Sequence, residues 1–345
     1  MTADVHLRGA NECPERLNAL RDVLRQVIDG GIKHLVIAGD LFDKEVQDYS
    51  AFEELCHEYP GVELHIIPGN HDSHLNAKLV VGDNIHIYSI LTIEELEGSA
   101  FLFVPYTPGK RMGEVIADHV GEIPDDWILV GHGDYYEGSK EASAREPGTY
   151  MPLCRGDIQY FRPRAALLGH IHKPFDRSPV FCPGSPCGLD ITETGRRRFI
   201  VYDTETEMAS TKHVETDVLF FSETFVLVPS PSELESLARD AEARINAWDI
   251  GPELYSKVRV RVEAVGYTSD KRAVKSKLSE AFEAFRFVDD EGPRLNELRL
   301  ASDTQRDKIA ARAMGRIDRL EWDLGGDEPT RESIKTAALS VIYGS

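Results

Sequence analysis

The stretch IIPGNHD, Ile66–Asp72, ends an apolar run with a proline-glycine turn and then asparagine, histidine and aspartate. Apolar residues closed by Pro-Gly read as a buried strand that stops abruptly. The three residues after it are types that bind metal or move protons. Four other places repeat the design: ADVH (Asp4, His6), AGDLFD (Asp40), VGHGD (His132) and LGHIH (His170, His172). In an open α/β sheet, ligands bind beyond the carboxyl ends of the strands. Five strands ending this way would gather these side chains around one crevice.

Two aspartates, one asparagine amide and four imidazoles are more donors than one divalent cation uses, but two cations sharing a carboxylate fit them. The spacings Asp4-x-His6 and His170-x-His172 suit this, because residues i and i+2 of an extended segment point the same way. Cations paired roughly 3.5–4 Å apart activate water and neutralise phosphate oxygens. Oxygen and nitrogen donors without thiolate suit Mn or Fe better than structural zinc. Asn70 would be a neutral ligand. His71 is left to protonate a leaving oxygen, with Asp72 orienting it or strengthening it as a base. Asp43, in the same turn as Asp40, reads as a helix cap or a supporting residue. Any single strand-end histidine is more often surface or hydrogen-bonded than catalytic; it is the five motifs together, in order, that point to a site. His34, His57, His65, His74, His86, His119 and His213 fall outside the pattern and read as structural or solvated.

The same alternation runs through the first two-thirds of the chain. Leu17, Leu20, Leu24, Val27 and Ile28 have helical spacing between Pro14 and Gly30-Gly31. Strands are expected at HLVIAGD, VELHIIPG, FLFVPY, WILVGH, AALLGH and RFIVYD, and helices at DYSAFEELCHEY and RMGEVIADHV. This argues for an α/β fold covered by helices on both faces. After Asp203 the order becomes β-α-β-α, as in a small α+β domain. The final stretch has two helical patterns and no strand, which reads as an arm or docking segment.

With 41% hydrophobic and 28% charged residues among 345, the chain has a globular composition. No apolar run reaches the ~18 residues that span a bilayer, and no signal peptide is expected before Asp4. Five scattered cysteines (Cys13, Cys56, Cys154, Cys182, Cys187) argue against a disulfide framework and for a reducing cytoplasm. CPGSPC lacks the second ligand pair of a zinc site. The net charge of −20 should repel nucleic acid unless basic groups cluster or metals invert the field. Candidate clusters are Lys110 and Arg111, the RPR at 162–164, Arg196 and Arg197, and the strand pair Arg259 and Arg261; each reads equally well as solvated surface.

The order DxH, GD, GNHD, GH, GHxH over residues 4–172 resembles the calcineurin-like metallophosphoesterase superfamily. Within it, LLGHIHKPF, VFCPGSPCGLD and GRRRFIVYD resemble the SbcD-type DNA-repair nuclease subunit, and SKVRVRVEAV resembles a strand of that family's capping domain. The resemblance implies a metallophosphoesterase β-sandwich flanked by helices (1–205), an α+β capping domain (215–300) and a helical tail (302–345) that docks a coiled-coil ATPase of the SbcC type. It implies a homodimer and a two-Mn²⁺ phosphodiesterase acting on DNA as a 3′→5′ exonuclease and single-strand endonuclease. Asp4, His6 and His172 would hold one metal, and Asn70, His132 and His170 the other, with Asp40 bridging and His71 the acid. Asp4 lies only three residues from the start, which implies a very short first strand or a truncated or misassigned start. The alternatives are an enzyme of the same fold for small phosphodiesters or nucleotides, and a non-enzymatic scaffold for an ATPase.

Overall fold

The computed structural model describes residues 1–9, 12–44, 46, 48–137, 149–288, 291–301, 304–321 and 329–344. The chain forms two compact units, Met1–Leu189 with Arg196–Asp217, and Asp190–Gly195 with Val218–Ser345.

The first unit runs α1 (Pro14–Asp29), β1 (His34–Ala38), α2 (Ser50–Glu58), β2 (Glu63–Ile67), β3 (Ile85–Ile87), β4 (Thr92–Leu96), β5 (Ser99–Val104), α3 (Met112–Ala117), β6 (Trp127–His132), β7 (Tyr135–Tyr136), β8 (Leu153–Cys154), α4 (Arg155–Phe161), β9 (Ala165–Gly169), β10 (Phe175–Arg177), β11 (Val180–Cys182), β12 (Arg198–Asp203) and β13 (Met208–His213). One sheet is β1-β2-β3, all parallel. The other has the order β10-β11-β9-β6-β5-β4, parallel inside with antiparallel strands at both edges.

The alternation of side chains along each strand sets the layers. Val36, Ala38 and Ile67 of the first sheet pack with Phe103, Ile128, Val130 and Leu167 of the second. From the opposite face of the second sheet, Leu102, Leu129 and Leu168 meet Met112 and Ile116 of α3 and Ile158 of α4. Helix α1 buries Leu20, Val23, Leu24 and Val27 along one stripe and stops at Gly30 and Gly31. Burying a side chain such as Phe103, fully inaccessible, contributes roughly 1.5–3 kcal/mol. The chain therefore forms the expected α/β sandwich with helices outside. The three-residue β10 and β11 are too short to show a period, and β13 and α4, mostly exposed, lack the apolar run that marked the other strands and helices.

The second unit contains β14 (Leu219–Leu227), α5 (Glu233–Ala247), β15 (Val258–Thr268), α6 (Lys271–Ala281), β16 (Arg286–Phe287), β17 (Leu298–Leu300), α7 (Thr304–Ile317) and α8 (Arg331–Tyr343). Its strands pair in parallel around β15. Val258, Val260 and Val262 pack with Leu237 of α5 and Val274 and Leu278 of α6. Arg259, Arg261 and Glu263 alternate with those valines and are half-buried. The tail, read from sequence as an arm or docking segment, packs on this unit. Ala310 and Met314 of α7 and Leu339 of α8 close over Tyr267 of β15, whose ring stacks on Tyr343 at 3.7 Å. The end of β15 supplies an apolar patch that the helices' own pattern does not reveal. Among the described residues no helix is long and apolar enough to cross a membrane, and all five cysteines are free thiols.

A histidine group lies across the first sheet. His65, 4% exposed, shares hydrogen bonds with His34 (3.0 Å) and the Tyr88 hydroxyl (2.9 Å) and stacks on His86. Burial, then the neighbouring His86 and His34, pushes His65 down to about 3 from 6.5. The unfolded chain takes up this proton below ~6.5 while the folded chain refuses it, so stability falls as pH drops through that window, by at most about 1.4 kcal/mol per unit. Urea unfolding at pH 7 and pH 5 should show the wild type losing more stability than His65→Gln; equal losses would contradict this.

Candidate metal centre

Residues 2–7 run beside 36–43 as a parallel ladder. Backbone bonds link Asp4 N to Gly39 O (3.1 Å), His6 N to Asp40 O (3.0 Å) and Asp43 N to Leu7 O (2.9 Å). The ladder sets Asp4, His6, Asp40 and Asp43 side by side at one sheet end. Asp4, His6, Asp40 and His170 all have positive φ, between 50° and 87°. For residues with a Cβ this conformation costs of order 1–3 kcal/mol each and persists where the surroundings enforce it, typically at functional sites.

Asp40 is the hub. Its Oδ2 lies 3.4 Å from His132 Nε2 and 3.7 Å from His6 Nε2, and its Oδ1 accepts the His71 backbone N–H at 2.8 Å. On one side His6 Nε2 and His172 Nε2 face each other at 3.3 Å, with Asp4 completing the cluster. On the other, Asn70 Oδ1 lies 2.9 Å from His132 Nε2 and 3.0 Å from His170 Nδ1. All seven residues singled out as ligands thus come together: Asp4, His6 and His172 form one group, and Asp40, His132 and His170 with Asn70 another; a third, His6, Asp40 and His71, joins them. His132 Nδ1 donates to Ala38 O at 2.8 Å, which turns Nε2 inward.

Carboxylates, imidazoles and an amide oxygen without thiolate fit a divalent Mn, Fe or Zn ion. Burial pushes His6 down, towards the neutral form that ligates metal. Burial opposes a charge on His132 too, but Asp40 outweighs it and pushes His132 up to about 10. That pair therefore favours positive charge at Nε2, whether proton or cation.

The partner of His71 corrects the sequence expectation. Its Nδ1 donates to Asp43 Oδ1 at 3.0 Å, and not to Asp72. Asp72 is fully buried and spends its oxygens on the backbone N–H groups of Gly69 (2.7 Å) and Phe42 (3.1 Å). Burial, then the charge of Asp40, pushes Asp72 up to about 7. It braces the turn that carries Asn70 and His71. Burial would raise Asp43 as well, but the His6 ring 3.8 Å away and hydrogen bonds from His71 and Arg8 hold it well below the usual carboxylate range. Arg8 Nε reaches Asp43 Oδ2 at 2.7 Å, and Arg16, 7% exposed, donates to His6 O at 2.6 Å.

Two supports had no sequence signal. Asp134, quoted in VGHGD without a role, accepts from Tyr150 N and the Tyr136 hydroxyl and lies 3.4 Å from His170 Nε2. Arg197, expected at the surface as a DNA contact, is 3% exposed. Its guanidinium donates to His172 O (2.7 Å) and Ser185 O (2.9 Å), so it holds the loop of a ligand and is no open phosphate contact. Lys110, Arg111 and Arg196 are exposed, and Arg259 and Arg261 lie in the second unit. Tyr150 lies 4.9 Å from the His170 ring, and Tyr106 adjoins both Tyr150 and His132.

The calcineurin-like phosphoesterase family profile matches residues 1–174. Exonuclease subunit 1 of Enterobacteria phage T4 is 25% identical over 210 residues, covering 54% of this chain and 58% of that one. The chain thus spans little more than half the length of this curated relative. Among solved structures, GAP50, the anchor in the inner membrane complex of Plasmodium, aligns at a TM-score of 0.35 and 12% identity over 62% of this chain and 87% of that one. A protein of unknown function from Aquifex aeolicus aligns at 0.25 and 16% identity, covering 46% and 90%.

Gly69 offers a direct test of the clusters. A Cβ there would fall on Asp40 Oδ1 and crowd the Asp40 backbone nitrogen. Gly69→Ala should weaken Mn²⁺ binding at least tenfold by calorimetry while the far-ultraviolet circular dichroism stays that of the wild type; unchanged affinity would contradict the placement of Asp40. With its five motifs meeting at one sheet end and half of its length matched by the family profile, the chain belongs to the calcineurin-like phosphoesterase family, a family of metal-dependent hydrolases.

Proposed function

We propose that the chain is a two-metal phosphodiesterase that degrades DNA, an SbcD-type nuclease subunit acting as a 3′→5′ exonuclease and single-strand endonuclease. The observation that carries the phosphoesterase chemistry is the pair of donor clusters meeting at Asp40, with the His71 imidazole beside them. The bound cations, Mn²⁺ in this reading, supply Lewis acidity for the phosphate oxygens and activate a water. Asp4, His6 and His172 would hold one, Asn70, His132 and His170 the other, and Asp40 both. His71 gives a proton to the leaving oxygen, and Asp43 fixes the ring through Nδ1 so that Nε2 is the nitrogen presented.

Three features support DNA as the substrate. Tyr106 and Tyr150 stand beside His132 and His170, where flat rings can stack an unpaired base. Arg259 and Arg261 share one face of β15, and Arg286 pairs opposite Arg259; with Lys110, Arg111 and Arg196 they are candidates for backbone phosphates. The phage T4 relative is named an exonuclease subunit. In this reading residues 215–300 are the capping domain, residues 302–345 dock a coiled-coil ATPase of the SbcC type, and the subunit works as a homodimer in the cytoplasm. The net charge of −20 favours a second reading, an enzyme for small phosphodiesters.

The test is to incubate the chain with Mn²⁺ and labelled single- and double-stranded DNA, beside a chromogenic phosphodiester. The proposal expects DNA degradation that His71→Ala lowers at least a hundredfold and Asp43→Asn roughly tenfold, with metal still bound. Turnover of the small diester alone would support the second reading, and metal uptake without turnover would contradict both.

A further inference from the structure

Arg8 directly follows the first ladder, and beyond its hydrogen bond to Asp43 the phosphoesterase machinery gives it no role. It sits two residues beyond His6 with its side chain 46% exposed. Its Nε is anchored on Asp43 Oδ2 at 2.7 Å, and the opposite oxygen of that carboxylate receives His71 Nδ1 at 3.0 Å. Among the described residues, its two terminal amino groups have no hydrogen-bond partner. A guanidinium fastened through Nε presents the remaining edge of its fork in a fixed direction, the geometry that grips a phosphate by two oxygens. Arg8 therefore joins one carboxylate with His71 on one side and solvent on the other. Asp43 also takes a contact from Arg16 at 3.5 Å, so its position does not depend on Arg8 alone.

We infer that Arg8 binds a non-bridging oxygen of a substrate phosphate next to the scissile one, and so sets a preference for a nucleic acid strand over an isolated phosphodiester. This rests on the DNA-cleaving reading above. A substrate with one phosphate cannot fill both places, whereas a strand fills them together. In a chain of net charge −20, one half-exposed cation held on Asp43 also counters the field that an incoming strand meets.

The experiment compares wild type, Arg8→Ala and Arg8→Lys, loaded with Mn²⁺, on a short single-stranded oligonucleotide and on bis(p-nitrophenyl) phosphate at several salt concentrations. For Arg8→Ala the oligonucleotide KM should rise about tenfold, with kcat changed less than threefold. The small diester should lose at least fivefold less in kcat/KM than the oligonucleotide. The slope of log KM against log salt should shrink by about 0.7 for the lost single-strand phosphate contact. Arg8→Lys should recover part of the KM. Equal losses in kcat on both substrates with an unchanged salt slope would mean that Arg8 acts only by holding Asp43, and would overturn the inference. So would kinetics identical to the wild type. Failure of the wild type to cut the oligonucleotide while it hydrolyses the small diester would instead sink the DNA-cleaving reading, and this inference with it.

Discussion

The ladder between residues 2–7 and 36–43 is the constraint on which the rest of the site depends. It brings two distant motifs, ADVH and AGDLFD, into register so that three carboxylates and an imidazole leave the sheet at one end. The cost is left-handed backbone at Asp4, His6 and Asp40. The sandwich core beneath, from Ala3 and Ala38 to Val130 and Leu167, is fully or almost fully buried. Glycine at 69 completes the arrangement, because only a residue without a Cβ lets the Asn70 turn approach Asp40.

Electrostatics turn this geometry into chemistry. Asp4, Asp40 and Asp72 are all buried within a few residues of the clusters, and a group of carboxylates without cations would repel itself. The protein answers in three ways. Asp43 is neutralised by Arg8 and Arg16, Asp72 takes backbone N–H groups, and Asp40 is faced by His132 and His6. What remains is a donor cluster in which the Asp40–His132 pair favours positive charge, beside an imidazole whose orientation is fixed. Asp43 thus belongs with His71, whose ring it fixes, and Asp72 with the turn that carries it.

Apart from Asp4 and His6, the candidate ligands stood out in sequence because each follows an apolar strand, where Val, Ile and Leu give way to Asp, His or Asn. Their supports were less so, although Asp43 read as a cap or supporting residue. Which of Asp43 and Asp72 meets His71 depends on how two turns face each other, and sequence adjacency pointed to the wrong one. Arg197 lay in a basic run, GRRR, that gives no sign of which side chain turns inward; only the fold brings it against the His172 carbonyl. The tail helices carry apolar residues at helical spacing (Ala310, Met314 and Ile317; Leu339 and Ile342), but that period does not say that Tyr267 is what they dock on. Long buried strands and α1 were readable; the three-residue strands, held by their neighbours, were not.

The claim at the centre of this account is that the two donor clusters share Asp40. Electron paramagnetic resonance of the chain loaded with two equivalents of Mn²⁺ tests it most directly. Two ions bridged by one carboxylate should give an exchange-coupled spectrum, which reverts to isolated-ion signals in Asp40→Ala. Isolated Mn²⁺ signals from the fully loaded wild type would contradict it.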